Sequence, residues 1–170
     1  MLRKLGLKKG DCVVIFMSMI PEAAVVMLAC ARLGLVHVVI NPLSPAKSLT
    51  ERILDCGASV IITGNQSVRG EQVVSLKDVA DEAMDACSKK GHVVSRCVVF
   101  LTTDRECEMI EDRDIFWHDA IMAEPAICDP VWMDAEDPLF VLYPRAVNEE
   151  PGGVVHSTAG YMVYAAATFK

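Results

Sequence analysis

Four short runs of this chain are apolar at nearly every consecutive position, and a single helical segment separates each from the next. Val13-Val14-Ile15-Phe16 and residues 37–40, 59–63 and 97–100 show no alternation of polar and apolar side chains, so neither face of a strand built from them suits water. A strand buried on both faces needs cover above and below. The spacing therefore predicts an α/β fold, a largely parallel sheet flanked by helices. Between the first two runs, Pro21-Glu22 opens a helix that ends at Leu33 before Gly34. That helix is apolar almost all round, which predicts deep burial. Ser44 or Ser48 is placed to cap a helix over residues 49–55, closed by Gly57, and residues 76–86 form a third helix with acids along one face.

Beyond Leu101 the rhythm fails. Residues 102–114 are charged and aperiodic, which predicts a surface excursion; residues 115–120 suit a helical turn and residues 124–138 an extended connection. Strands are expected at residues 139–143 and 153–156, and Ser157-Thr158 can cap a helix through Tyr161 and Tyr164. That helix is still apolar at Lys170, an expectation that it packs against further chain. At 170 residues the sequence supports one ordinary domain.

A net charge of −7 argues against a nucleic-acid partner and against attachment to anionic membranes. No apolar run reaches the length of a membrane span and the first residues show no signal-peptide pattern, so the expected location is cytoplasmic. Seven cysteines, odd in number and without a C-x-x-C pair, read as reduced core thiols.

Several segments carry a likeness in their order and spacing. They are Leu5-Gly6-Leu7-Lys8-Lys9-Gly10-Asp11, Met19-Ile20-Pro21-Glu22-Ala23-Ala24, Met27-Leu28-Ala29-Cys30-Ala31-Arg32-Leu33-Gly34, Val60-Ile61-Ile62-Thr63, Val68-Arg69-Gly70 and Asp114-Ile115-Phe116-Trp117-His118-Asp119. Two more are Trp132-Met133-Asp134-Ala135-Glu136-Asp137-Pro138 and Gly153-Val154-Val155-His156-Ser157-Thr158-Ala159-Gly160-Tyr161. Together they resemble the acetyl-CoA synthetase branch of the AMP-forming acyl-CoA ligases. The resemblance implies that residues 1–170 are part of a large N-terminal acyl-activating (AMP-binding) domain, without the family's C-terminal lid domain. It also implies the parent chemistry. Acetate or another short carboxylate is joined to ATP, with Mg2+, as an acyl-adenylate, and the acyl group then passes to coenzyme A.

Between the last two segments the likeness breaks. The family's phosphate loop, commonly Y-T-S-G-[ST]-T-G-x-P-K-G, stands here as Tyr143-Pro144-Arg145-Ala146-Val147-Asn148-Glu149-Glu150-Pro151-Gly152-Gly153. A phosphate cradle needs glycines, hydroxyls and a lysine. This stretch has Ala146 and Glu149 at the glycine positions, Gly152 at the lysine position, and two carboxylates where a triphosphate would approach. The expectation is that neither ATP nor coenzyme A binds this chain tightly. Arg69, in the glycine-containing loop from Gly64 to Gly70 after the third strand, is the candidate coenzyme A ligand by resemblance; the family's nearby second base is Gln72 here, and its glycine pair after the second strand is Asn41-Pro42. His118 and His156 lack a spaced nucleophile or metal partner, and Asp134, Glu136 and Asp137 read as fixing a loop rather than holding a metal. No catalytic residue is assigned.

Two functional readings stay open: a fragment of a short-chain acyl-CoA ligase, inactive alone, and a non-catalytic truncated paralogue that pairs with an intact ligase. A further origin for the break is a misread gene, because one lost base and a compensating insertion would turn codons for Thr-Ser-Gly-Ser into Pro144 to Val147. Re-reading the coding DNA from a fresh template distinguishes them. A frameshift returns an intact Thr/Ser/Gly loop, and a natural departure returns the same codons.

Overall fold

The computed structural model describes residues 1–70, 72–122, 124–144 and 152–169, the Arg69 side chain excepted. Its core is β1 (Cys12–Phe16), and the chain leaves that strand through α1 (Pro21–Leu33) to reach the parallel β2 (Val36–Val39). α2 (Ala46–Cys56) then carries the chain back across to β3 (Val60–Gly64), which pairs with β1 on its other side. A hairpin of β4 (Gln66–Arg69) and β5 (Gln72–Ser75) precedes α3 (Leu76–Lys89) and β6 (Arg96–Phe100). The rest adds β7 (Asp114–Phe116), α4 (Trp117–Met122), β8 (Pro138–Leu142), β9 (Val154–Ser157) and α5 (Thr158–Thr168). The main sheet runs β7-β6-β3-β1-β2-β8-β9, parallel throughout except for the β8–β9 pair.

The expected α/β architecture is therefore present, and the apolar runs explain its two-sided cover. Val14 and Phe16 face a core completed by Leu49 and Ile53 of α2 and by Ala80, Ala83 and Cys87 of α3. Val13 and Ile15 face the opposite core, closed by Val26 and Cys30 of α1, the amino-terminal Leu2 and Leu7, and Trp117 of α4. Gly34 ends α1 as expected, in a left-handed conformation (φ 68°), and a side chain there would strike the Met133 sulfur at 2.6 Å.

Four local expectations need correcting. α1 is not deeply buried: only Val26 and Cys30 are, whereas Leu28 is 72% exposed, because the helix offers one stripe to the sheet and no described element covers its outer face. Neither Ser44 nor Ser48 caps α2, whose N-cap is Pro45; the Ser48 hydroxyl instead accepts a hydrogen bond from Arg52. Residues 114–116, read as the junction of a surface excursion and a helical turn, form edge strand β7 against β6. Residues 64–70, read as a loop, include β4. Ser157, by contrast, caps α5 as anticipated, accepting from the Gly160 amide.

His37, on β2, is buried among apolar groups, and its ring lies 5.4 Å from that of Phe140. Its Nδ1 has no hydrogen-bond partner, and burial pushes its pKa down to about 4, so the ring is held neutral. An unfolded histidine protonates near pH 6.5. The neutral ring's contribution is therefore complete above that pH and is lost progressively as pH falls towards 4. Urea denaturation at pH 7 and pH 5 is expected to show a decline, part of a total on the order of 2–3 kcal/mol by pH 4. His37→Leu flattens that dependence.

Candidate functional site

The connections place a crevice at one end of the sheet. From β1 the chain steps to β2 on one side, whereas from β3 it proceeds to β6 on the other, so the carboxyl ends of β1 and β3 form a topological switch point. Polar groups gather there. The Ser18 hydroxyl, just past β1, donates to the Ser67 hydroxyl at 2.9 Å, joining the end of β1 to the hairpin. Asn65, just past β3, is fully buried and bonded to the loop after β6.

The β4–β5 hairpin rises from this point. Its register places Arg69 directly opposite Gln72, so the two positions singled out in the sequence are cross-strand partners. Arg69 thus lies on a strand rather than in a loop, and the sequence did carry the signal. Two four-residue runs, 66–69 and 72–75, flank the two residues Gly70 and Glu71, the spacing of a tight hairpin, and Gly70 has φ 60°. Asn41 forms a turn after β2, its Oδ1 accepting from the Leu43 amide at 2.9 Å.

β8, the strand that leads into residues 143–153, pairs with β2. Residues 145–151 fall outside the described residues, but both ends of the segment are defined. The Tyr143 hydroxyl donates to Asp55 Oδ2 at 2.6 Å, and the Arg52 guanidinium sits 5.4 Å from the centre of its ring. Burial and the adjacent Asp55 carboxylate raise the Tyr143 pKa, which keeps the phenol protonated as a donor. Gly153 allows the returning chain to pass close by, since a side chain there would meet Val141 at 2.6 Å and Tyr143 at 3.1 Å.

The AMP-binding enzyme family matches residues 1–170, the whole chain. This chain is a member of that family. It is 46% identical over 169 residues to the chloroplastic/glyoxysomal acetyl-coenzyme A synthetase of Arabidopsis thaliana, a match covering 97% of this chain and 23% of the relative. It is 42% identical over 176 residues to the acetyl-coenzyme A synthetase of Drosophila melanogaster, covering 97% of this chain and 26% of that protein. Among solved structures, an acetoacetyl-CoA synthetase from Streptomyces lividans superposes with a TM-score of 0.84 at 24% identity, over 96% of this chain and 24% of the other. That likeness speaks to the fold alone. The chain spans about a quarter of the length of the relatives it matches.

In this member of the AMP-binding enzymes, the histidines and the acidic cluster noted in the sequence make packing and loop contacts. The His118 ring stacks on Phe100 at 6.2 Å and the His156 ring on Phe140 at 4.6 Å. Asp137 fixes its loop, accepting from the Asp134 amide at 2.6 Å and pairing with Lys9 at 2.7 Å. Among the described residues no group of three or more His, Cys, Asp or Glu side chains is arranged to hold a metal, and all seven cysteines are free thiols. No described helix is long and apolar enough to cross a membrane. An apolar cavity of about 300 Å³ lies between α1 and α5, near Leu35, Pro138 and Leu139. Leu35 immediately precedes β2, and Pro138 and Leu139 begin β8, so the cavity is at the opposite end of the strands from the crevice.

One cluster was signalled in the sequence only by the i, i+4 spacing of Lys77 and Asp81. Lys77 has no solvent exposure, yet its ammonium lies 2.8 Å from Asp114 and 2.6 Å from Asp81. Arg113 completes the set, 2.6 Å from Asp114 Oδ1 and also paired with Asp81. Burial alone would raise the Asp114 pKa, but the bonds from Arg113, the Ile110 amide and Lys77 outweigh it and hold the carboxyl below its usual range. The cluster pins α3 to β7 and faces no crevice. Asp114→Ala leaves Lys77 buried without its nearest fully buried partner. Urea denaturation at pH 7 is expected to show a loss of about 3–5 kcal/mol.

Proposed function

We propose that this chain carries the coenzyme A-contacting edge of a short-chain acyl-CoA ligase's large domain and does not itself form an acyl-adenylate. The observation that carries the reading is the hairpin at the switch-point crevice, which presents the Arg69 position where open parallel sheets bind ligands. An arginine there suits a phosphate of coenzyme A. Gln72 opposite it supplies a hydrogen-bonding group but no charge, so affinity is low. The parent reaction also needs ATP and Mg2+ held by a phosphate loop, and residues 144–152 lack the hydroxyls, the lysine and two of the glycines for it. The acid activated by the parent enzyme is acetate or another short carboxylate, in keeping with the synthetases it resembles.

A second reading, pairing with an intact ligase, is favoured by α5. That helix bears no charged side chain and buries none of its residues, leaving Met162, Val163 and Tyr164 exposed beside the edge strand β9.

Calorimetric titration of the purified chain tests both. Coenzyme A is expected to bind with a Kd on the order of 1 mM, Arg69→Ala to abolish that binding, and Mg-ATP to give no heat. Pyrophosphate release from ATP with acetate would overturn the inactive reading, and coenzyme A binding indifferent to Arg69→Ala would overturn the site. With a full-length acetyl-coenzyme A synthetase as titrant, saturable heat supports pairing and its absence excludes it.

A further inference from the structure

A two-stranded ribbon has little stability of its own. The β4–β5 hairpin pairs over four positions, and Val68 and Val73 leave more than half their surface in solvent (57% and 54%). What fixes its direction over the crevice must lie at its base. Asn65 occupies that base. Its Oδ1 accepts from the Gln66 amide at 2.9 Å and from the Thr102 amide at 2.8 Å. Its Nδ2 donates to the carbonyls of Thr103 at 3.0 Å and Arg105 at 2.8 Å. Its own carbonyl accepts from the Leu76 and Lys77 amides, which closes the hairpin onto the start of α3, and its amide donates to the Phe100 carbonyl.

One buried side chain thus satisfies donors on the entering strand of the hairpin and acceptors on the loop that follows β6. A second layer repeats the link. The Thr103 hydroxyl donates to Gln66 Oε1 at 2.9 Å and the Thr102 hydroxyl to the Gln66 carbonyl at 2.5 Å.

We propose that Asn65 is the positioning residue of this site. It sets the angle of the hairpin over the crevice and locks residues 102–105 to it, so that the two form one surface for the phosphate-bearing end of coenzyme A. The ligand in that statement rests on the function proposed above; the anchoring does not. An amide is the suited side chain, because the site asks for an acceptor on one side and a donor on the other. A carboxylate would face two carbonyl oxygens, and an aliphatic group would leave buried amides and carbonyls without partners.

Amide hydrogen exchange on the full chain, read alongside coenzyme A titration, tests this. In Asn65→Ala, protection at residues 66–75 and 102–105 is expected to fall by about tenfold or more, with β1 and β2 unchanged, and coenzyme A affinity to fall in parallel. Asn65→Asp keeps the oxygen that accepts from the Gln66 and Thr102 amides but sets a carboxylate oxygen against the Thr103 and Arg105 carbonyls, so protection at Gln66 and Thr102 is expected to recover only in part. Unchanged protection in Asn65→Ala overturns the proposal, as does a uniform loss across the whole sheet. If Asn65→Ala fails to fold, Thr103→Val, which removes the hydroxyl bonded to Gln66, takes its place: a local loss of protection supports the role and no change overturns it. A wild-type chain that binds no coenzyme A removes the ligand reading, while the exchange pattern still decides whether Asn65 positions the hairpin.

Discussion

Val13, Val14, Ile15 and Phe16 of β1 have no solvent exposure, and neither do Val60, Ile61 and Ile62 of β3. Strands of this kind cannot sit at a surface on either face, so helices must pack above and below. A parallel order then follows from the crossovers those helices make. The rest of the molecule is arranged around that requirement. α1 covers one face and α2 with α3 the other, and reversing direction between β1 and β3 leaves a crevice where the two strands end. The crevice is thus a consequence of core packing, although the groups that fill it are polar.

Those polar groups show two different solutions to burial. At the end of β3, Asn65 is neutral and fully bonded, at a cost lower than any ion would incur in the same place. Against the first turns of α3, four charged groups meet instead. Lys77, Asp81, Arg113 and Asp114 compensate one another. A buried ion group of this kind adds little net stability over an apolar one, but removing a member is costly, so it fixes α3 against β7 in one arrangement. His37 is a third solution: with no partner for Nδ1, it gives up its charge.

The weakly buried elements lie on one side. α5 buries no residue, α1 exposes Leu28 and Val25, and β9 is an edge strand. The chain spans about a quarter of its relatives' length, so such apolar surface fits a portion of a larger domain. The hairpin, in contrast, is tied to the loop after β6 by Asn65, Gln66, Thr102 and Thr103.

Much of this was legible in the sequence, for physical reasons. Uninterrupted apolar runs have a single structural use, and Gly34, Gly57 and Ser157 stop or cap their helices through local backbone chemistry. Family membership was legible because ordered motifs survive along the whole chain. The hairpin under Arg69 could have been read from its four-two-four spacing. The three residues of β7 could not, since an edge strand beginning with Asp114 forms only because β6 is there to pair with it. Nor could Asn65 and Lys77 be singled out as buried hubs. An isolated asparagine or lysine in a sequence is by default a surface residue, and what reverses that default is a set of partners up to 40 positions away. The sequence by itself determined the fold class and the family, because both rest on local periodicity and motif order. Only the tertiary structure decided which polar groups are buried and where the hairpin points, because those depend on hydrogen bonds between segments that local pattern does not join.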